Sequence, residues 1–212
     1  QAGFATRAEL FATIALMSSR LSSFLVAVTQ GRTGDAAQFE VGLIKRLPWP
    51  LKSDTARDLE ALGRRSWAAM RRLDTRTESS HAFLVPALLQ VQADDLSGRA
   101  VEWAHVTSVV LVELAALAAE INDQAYRLYE ISDEDRERIE KGFGGNTEPE
   151  ETDDENDDKT DEDLESAEVD ATPMVASFLS WTLGVAFGRF DIRLATGERA
   201  APPEPGPFDP MP

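Results

Sequence analysis

Leu10, Ile14, Met17, Leu21, Phe24 and Val28 recur at steps of three and four, so they share one face of a helix and predict a single amphipathic element over residues 10 to 28. Leu16 and Val26 fall on its far side, which predicts cover from two directions. The helix should stop at the Gly31-Arg32-Thr33-Gly34 turn. A second helix is predicted over residues 54 to 73, with Ser53 as N-cap, Asp54 and Asp58 near the positive dipole end, and an apolar stripe of Leu59, Leu62, Ser66, Met70 and Leu73. The third, over residues 99 to 130, is the longest. Trp103, Val106, Val110, Leu114, Leu117, Ile121, Ala125 and Leu128 step with a period close to 3.67, which describes a nearly straight core helix. Ser132 should cap a short helix with Asp133, Glu134 and Asp135 in its first turn and Arg136, Arg138 and Lys141 later. Thr172 and Pro173 open a last helix running through about residue 190.

One stretch departs from helical spacing. In QFEVGLIKRLPWP, residues 38 to 50, Phe39, Val41 and Leu43 alternate, Gly42 permits close backbone approach, and Pro48 ends any ladder or helix. This predicts a short extended segment followed by a rigid corner.

Charge changes the picture in two places. The formal net charge is -17, but residues 148 to 170 hold fourteen Asp and Glu against Lys159, so this window carries -13 and the rest of the chain only -4. With so few apolar residues it is expected to be a disordered linker. An acidic DNA mimic and a calcium site are the functional alternatives. Asp153, Asp157 and Asp161 lack the glycine that the tight turn of an EF-hand loop requires. On the second helix, at 100° per residue, Arg57, Arg64, Arg65, Arg71 and Arg72 gather opposite the apolar stripe. Guanidinium groups so arranged can lie along a phosphate backbone, donating paired hydrogen bonds and releasing counterions. The same pattern also fits a solvated face supported by pairs such as Glu60 with Arg64.

Other chemistry is sparse. The chain has no cysteine, which removes disulfides, thiolate nucleophiles and Cys-ligated zinc, and a cytoplasmic location is expected. His81 and His105 are the only histidines and form no metal-ligand spacing, and no phosphate-cradling Gly-rich loop or Gly-x-Ser-x-Gly turn is present. No catalytic, cofactor-binding or metal residue is assigned. Gly184 and Gly188 form a small-xxx-small pair in MVASFLSWTLGVAFG, but that run is shorter than the roughly 20 residues a bilayer needs, so close helix packing without a membrane is expected. The residues from 200 to 212, rich in proline, should be extended.

Three segments in order resemble adenine-specific DNA methyltransferases of the phage-exclusion (BREX, PglX-like) and fused restriction-modification types. QFEVGLIKRLPWP resembles the end of their target-recognition region. EINDQAYRLYEIS, with Glu120, Asn122, Asp123, Tyr126 and Tyr129, resembles a segment that precedes a short acidic helix, and FLSWTLGVAFGRFDIRLATGE, residues 178 to 198, resembles their tail. The resemblance implies methyl transfer from S-adenosylmethionine to adenine N6 in a flipped base of double-stranded DNA. The Gly-rich cofactor loop and the Asn/Asp-Pro-Pro-aromatic loop of such enzymes do not occur here. The chain, which starts without Met, is therefore expected to be a non-catalytic C-terminal piece of a larger enzyme, partnered by the catalytic domain of the same polypeptide and by other defence-system subunits.

The expected architecture is mainly α: a helix plus extended segment over 1–50, a helical domain over 51–146, an acidic linker over 147–171, and a C-terminal helix with a Pro-rich tail over 172–212. Lys45, Arg46, Arg57, Arg64, Arg65, Arg71 and Arg72 are the candidate phosphate contacts. A helical protein-interaction module is the rival reading.

Overall fold

The computed structural model describes residues 7–30, 42, 45–50, 56–144 and 169–201, which are mainly helical, with turns and coil between the helices and no strand among them. The elements are α1 (Arg7–Met17), α2 (Arg20–Gln30), α3 (Ala56–Asp74), α4 (Ala87–Gln90), α5 (Leu96–Leu128), α6 (Asp133–Gly144), α7 (Thr172–Ala186) and α8 (Arg193–Thr196). Contacts divide the chain into a first unit, Gln1–Trp67 with Leu114–Asp157, and a second, Ala68–Glu113 with Asp158–Pro212. The predicted extended residues 38–41 and 43–44, the Gly31–Gly34 turn, Ser53 and Asp54, nearly all of the acidic run and the tail beyond residue 201 lie outside the described residues.

In the first unit the predicted single helix is two, bent by 68°. Apolar periodicity runs straight through the break, but the side chains of Ser18 and Ser19 compete for the backbone. Ser18 Oγ donates to Ile14 O at 2.8 Å. Ser19 Oγ donates to Leu16 O at 2.7 Å and accepts the Ser22 amide at 3.1 Å, so Ser19 closes one helix and N-caps the next. The bend also changes the buried face. Phe11, Ala12, Ala15, Leu16, Leu21 and Val26 are buried, whereas Ile14 and Val28, assigned to the core face by periodicity, are exposed.

These residues pack with Ala56, Leu59 and Leu62 of α3, Leu117, Ile121, Ala125 and Tyr126 of α5, and Ile139 of α6. Gly63 lets α1 approach α3, since a Cβ there would stand 2.5 Å from the Phe11 carbonyl oxygen. In the far half of the predicted α3 stripe Ser66 and Leu73 are partly buried, whereas Met70 is half exposed and Ala69 is buried in its place.

α5 begins three residues before its predicted start, because Asp95 Oδ1 accepts the Gly98 amide at 2.7 Å and caps it. It ends in a Schellman arrangement, with Ile131 N donating to Tyr126 O at 3.0 Å and Glu130 N to Arg127 O at 3.1 Å. Of the predicted stripe Trp103, Val110, Leu117, Ile121 and Ala125 are buried and Val106, Leu114 and Leu128 partly so, while Ala100 and Tyr126, which lie outside the stripe, are buried as well. By length and composition α5 also qualifies as able to cross a membrane, with a mean hydropathy of 1.7 over its most apolar 18 residues. Ser132 caps α6 as expected, accepting the Asp135 amide at 3.2 Å.

In the second unit Ala87, Val91 and Trp103 form a small core joined by Val106 and Met174. α7 starts one residue earlier than expected, after Ala171, with Asp170 Oδ1 accepting the Thr172 amide at 2.9 Å. It also ends earlier. Gly188, at φ 74°, terminates it, with Arg189 N donating to Gly184 O at 2.7 Å and Gly188 N to Val185 O at 3.0 Å. Gly184 and Gly188 are therefore not the expected helix-packing pair. A Cβ at Gly184 would collide with the Phe190 ring, which folds back over the helix and meets Phe83 with centroids 5.4 Å apart.

Candidate nucleic-acid interface

The amphipathic pattern of α3 turns its leucines inward, and helix geometry then turns Arg57, Arg64, Arg65 and Arg72 outward, where all four are exposed. They differ in what else they do. Arg64 Nε pairs with Glu60 at 2.9 Å, and its guanidinium stacks 4.4 Å above the Phe11 ring. It is thus partly engaged in joining α3 to α1. Arg57, Arg65 and Arg72 form no ion pair with any described residue. Arg71 is half-buried and its Nε is shielded from solvent, so it offers less of its guanidinium than the others.

Lys45 and Arg46 occupy a turn, both exposed and without an ion pair among the described residues. The chain then bends into Pro48-Trp49-Pro50. Tyr129 donates its hydroxyl to Pro48 O at 2.8 Å, tying this corner to the end of α5. Burial raises the Tyr129 phenol above its ordinary range.

The other residues of the EINDQAYRLYE segment have local duties. Asn122 Oδ1 accepts the Arg20 amide at 2.8 Å, satisfying an otherwise open donor at the start of α2. Asp123 pairs with Arg136 at 2.7 Å, and Arg136 in turn lies 4.9 Å above the Tyr126 ring and bonds Glu140 at 3.0 Å. Burial, followed by the Glu140 charge, raises the Tyr126 phenol.

Sequence reasoning passed over the arginines of the Gly-Arg-Phe-Asp-Ile-Arg segment, and the structure gives each a carboxylate. Arg189 pairs with Glu78 at 2.8 Å, while Ser180 Oγ donates to the same carboxylate at 2.8 Å. Asp191 accepts from Arg193 at 2.7 Å and from Arg199 at 2.8 Å. Those bonds, Arg193 first, hold its carboxyl well below the usual carboxylate range. These cations serve the local fold, and nothing in the sequence around them sets them apart from those of α3, since the partner of Arg189 is the distant Glu78. Among the described residues no three His, Asp or Glu side chains gather in a way that could hold a metal ion.

Comparison of the chain with protein families, with curated proteins and with solved structures finds no match.

Proposed function

We propose that this chain is the non-catalytic C-terminal part of an adenine-specific DNA methyltransferase, and that it helps hold duplex DNA through phosphate contacts. The observation that carries the reading is the row of exposed guanidinium groups on α3, three of them without a carboxylate partner among the described residues, in a chain of strongly acidic net charge. An unneutralised row on such a chain is a ready partner for a polyanion. The three resembling segments supply the enzyme class. In that setting S-adenosylmethionine belongs to the catalytic domain of the parent, the setting is cytoplasmic phage defence or restriction-modification, and α5, with Glu113 near its midpoint, packs one stripe and leaves its other faces exposed rather than crossing a membrane. A carboxylate at that depth in a bilayer would cost about 2.5 to 3.5 kcal/mol.

Phosphate contacts fix register without reading bases. Replacing Arg57, Arg65 and Arg72 together by Ala is therefore expected to weaken binding equally for unrelated duplexes. It should also flatten the dependence of log affinity on log salt by up to about 2.7, at about 0.9 per lost contact. A gel-shift titration across salt concentrations measures both. An unchanged slope would overturn the assignment.

The rival reading, a helical protein-interaction module, is favoured by the exposed Val101, Val109, Leu111 and Val112 of α5, by Leu179 and Leu183 of α7 and by Phe187 just after it. It predicts that the same arginine replacements leave DNA retention untouched.

A further inference from the structure

We infer that Trp49 is a stacking platform for a DNA base displaced from its helix, with Lys45 and Arg46 on the neighbouring phosphates. This rests on the DNA reading above and adds to it the group that meets the base.

Four tryptophans occur in the chain, and three are accounted for by packing: Trp103 and Trp181 are buried, and Trp67 lies edge-on to Phe11 with centroids 6.2 Å apart. Trp49 is 44% exposed, an uncommon state for the largest apolar side chain. Its backbone is constrained on both sides. Pro48 and Pro50 each fix φ near -65°, and Pro50 further restricts Trp49 itself. The Pro48 carbonyl is held by Tyr129, whose ring packs against the first unit's core. A backbone held in this way lowers the ordering cost that presenting the ring from an unconstrained loop would incur.

Lys45 and Arg46 lie four and three residues before it, within about 14 Å by chain length, or about four base steps of a strand. An exposed aromatic beside unpaired cations is the composition that binds unstacked nucleic acid: the ring takes any base by its π-face, and the cations take the backbone. A base leaves a mismatched pair more readily than a matched one.

The full chain is titrated with a matched duplex and with the same duplex carrying one mismatched pair, at several salt concentrations. The unaltered chain is expected to prefer the mismatched duplex by about tenfold, the scale of one base-aromatic stack. Trp49→Ala should abolish that preference while leaving the salt slope unchanged, because stacking releases no counterions. Trp49→Phe should keep most of it. Loss of an iodide-quenchable fluorescence component on binding, present in the unaltered chain and missing from Trp49→Phe, reports the stack without relying on the alanine variant's folding. If Trp49→Ala binds both duplexes as the unaltered chain does, or iodide still reaches Trp49 in the complex, the inference fails while the arginine reading stands. If the chain binds neither duplex, the DNA reading itself fails.

Discussion

Glu130 shows how much one backbone position can hold. It sits at φ 53°, the left-handed residue that ends α5, in a place where glycine is the usual occupant. Relief of the left-handed penalty, about 1 to 2 kcal/mol, outweighs the added chain freedom of the unfolded state, about 0.4 to 1 kcal/mol. Glu130→Gly is therefore expected to stabilise the chain by about 0.5 kcal/mol, read as a higher denaturant midpoint with unchanged slope. The neighbouring side chains were legible as a group but not in their duties. Asn122, Asp123, Tyr126 and Tyr129 stand out in sequence as a polar cluster at the end of an apolar helix. Two of their partners, the Arg20 amide and Pro48, are distant in the chain and the third, Arg136, lies on the next helix, so only folding brings them together.

At the scale of elements, the long helix was readable because its stripe is continuous and its packing follows the stripe. The first helix misled for a definite reason. Apolar spacing is preserved across Ser18 and Ser19, and the signal for the break lies in two small hydroxyl residues whose competition with the backbone leaves no mark on periodicity. Ser19 is fully buried, so its loss strands the Ser22 amide as well as removing a cap. Ser19→Ala is expected to cost about 2 kcal/mol and to lower the melting temperature by roughly 5 °C, seen by circular dichroism. The end of α7 was misjudged similarly. The spacing of Gly184 and Gly188 is right for a helix-packing pair, whereas one receives a ring from its own chain and the other turns the chain away. The short α4 carried no periodic signal at all, and it is fixed by tertiary bonds: Arg99 donates to Leu88 O at 2.8 Å, and Gln90 to Val85 O at 2.7 Å.

For the whole molecule the decisive quantity is how charge is distributed. A net -17 repels DNA at long range, while the arginines of α3 attract it at contact. Deleting residues 148 to 170 removes -13 of that charge. On the DNA-clamping reading the deletion should tighten duplex binding at 0.01 M salt, where the Debye length is about 30 Å. The gain should fade toward 0.15 M, where it is about 8 Å. An acidic DNA mimic would instead lose its activity on the same deletion, so binding isotherms at the two salt concentrations separate the two. The basic face was visible in the sequence because it needs only helical spacing. That Arg64 and Arg71 are less available than Arg57, Arg65 and Arg72 was not, since this depends on Phe11 and on burial. The bond from Tyr129 to Pro48 has a consequence of its own. A lone phenolic proton makes the posture of the 45–50 corner conditional on the integrity of the final turn of α5, so strain or fraying at that turn is relayed to the corner as lost purchase.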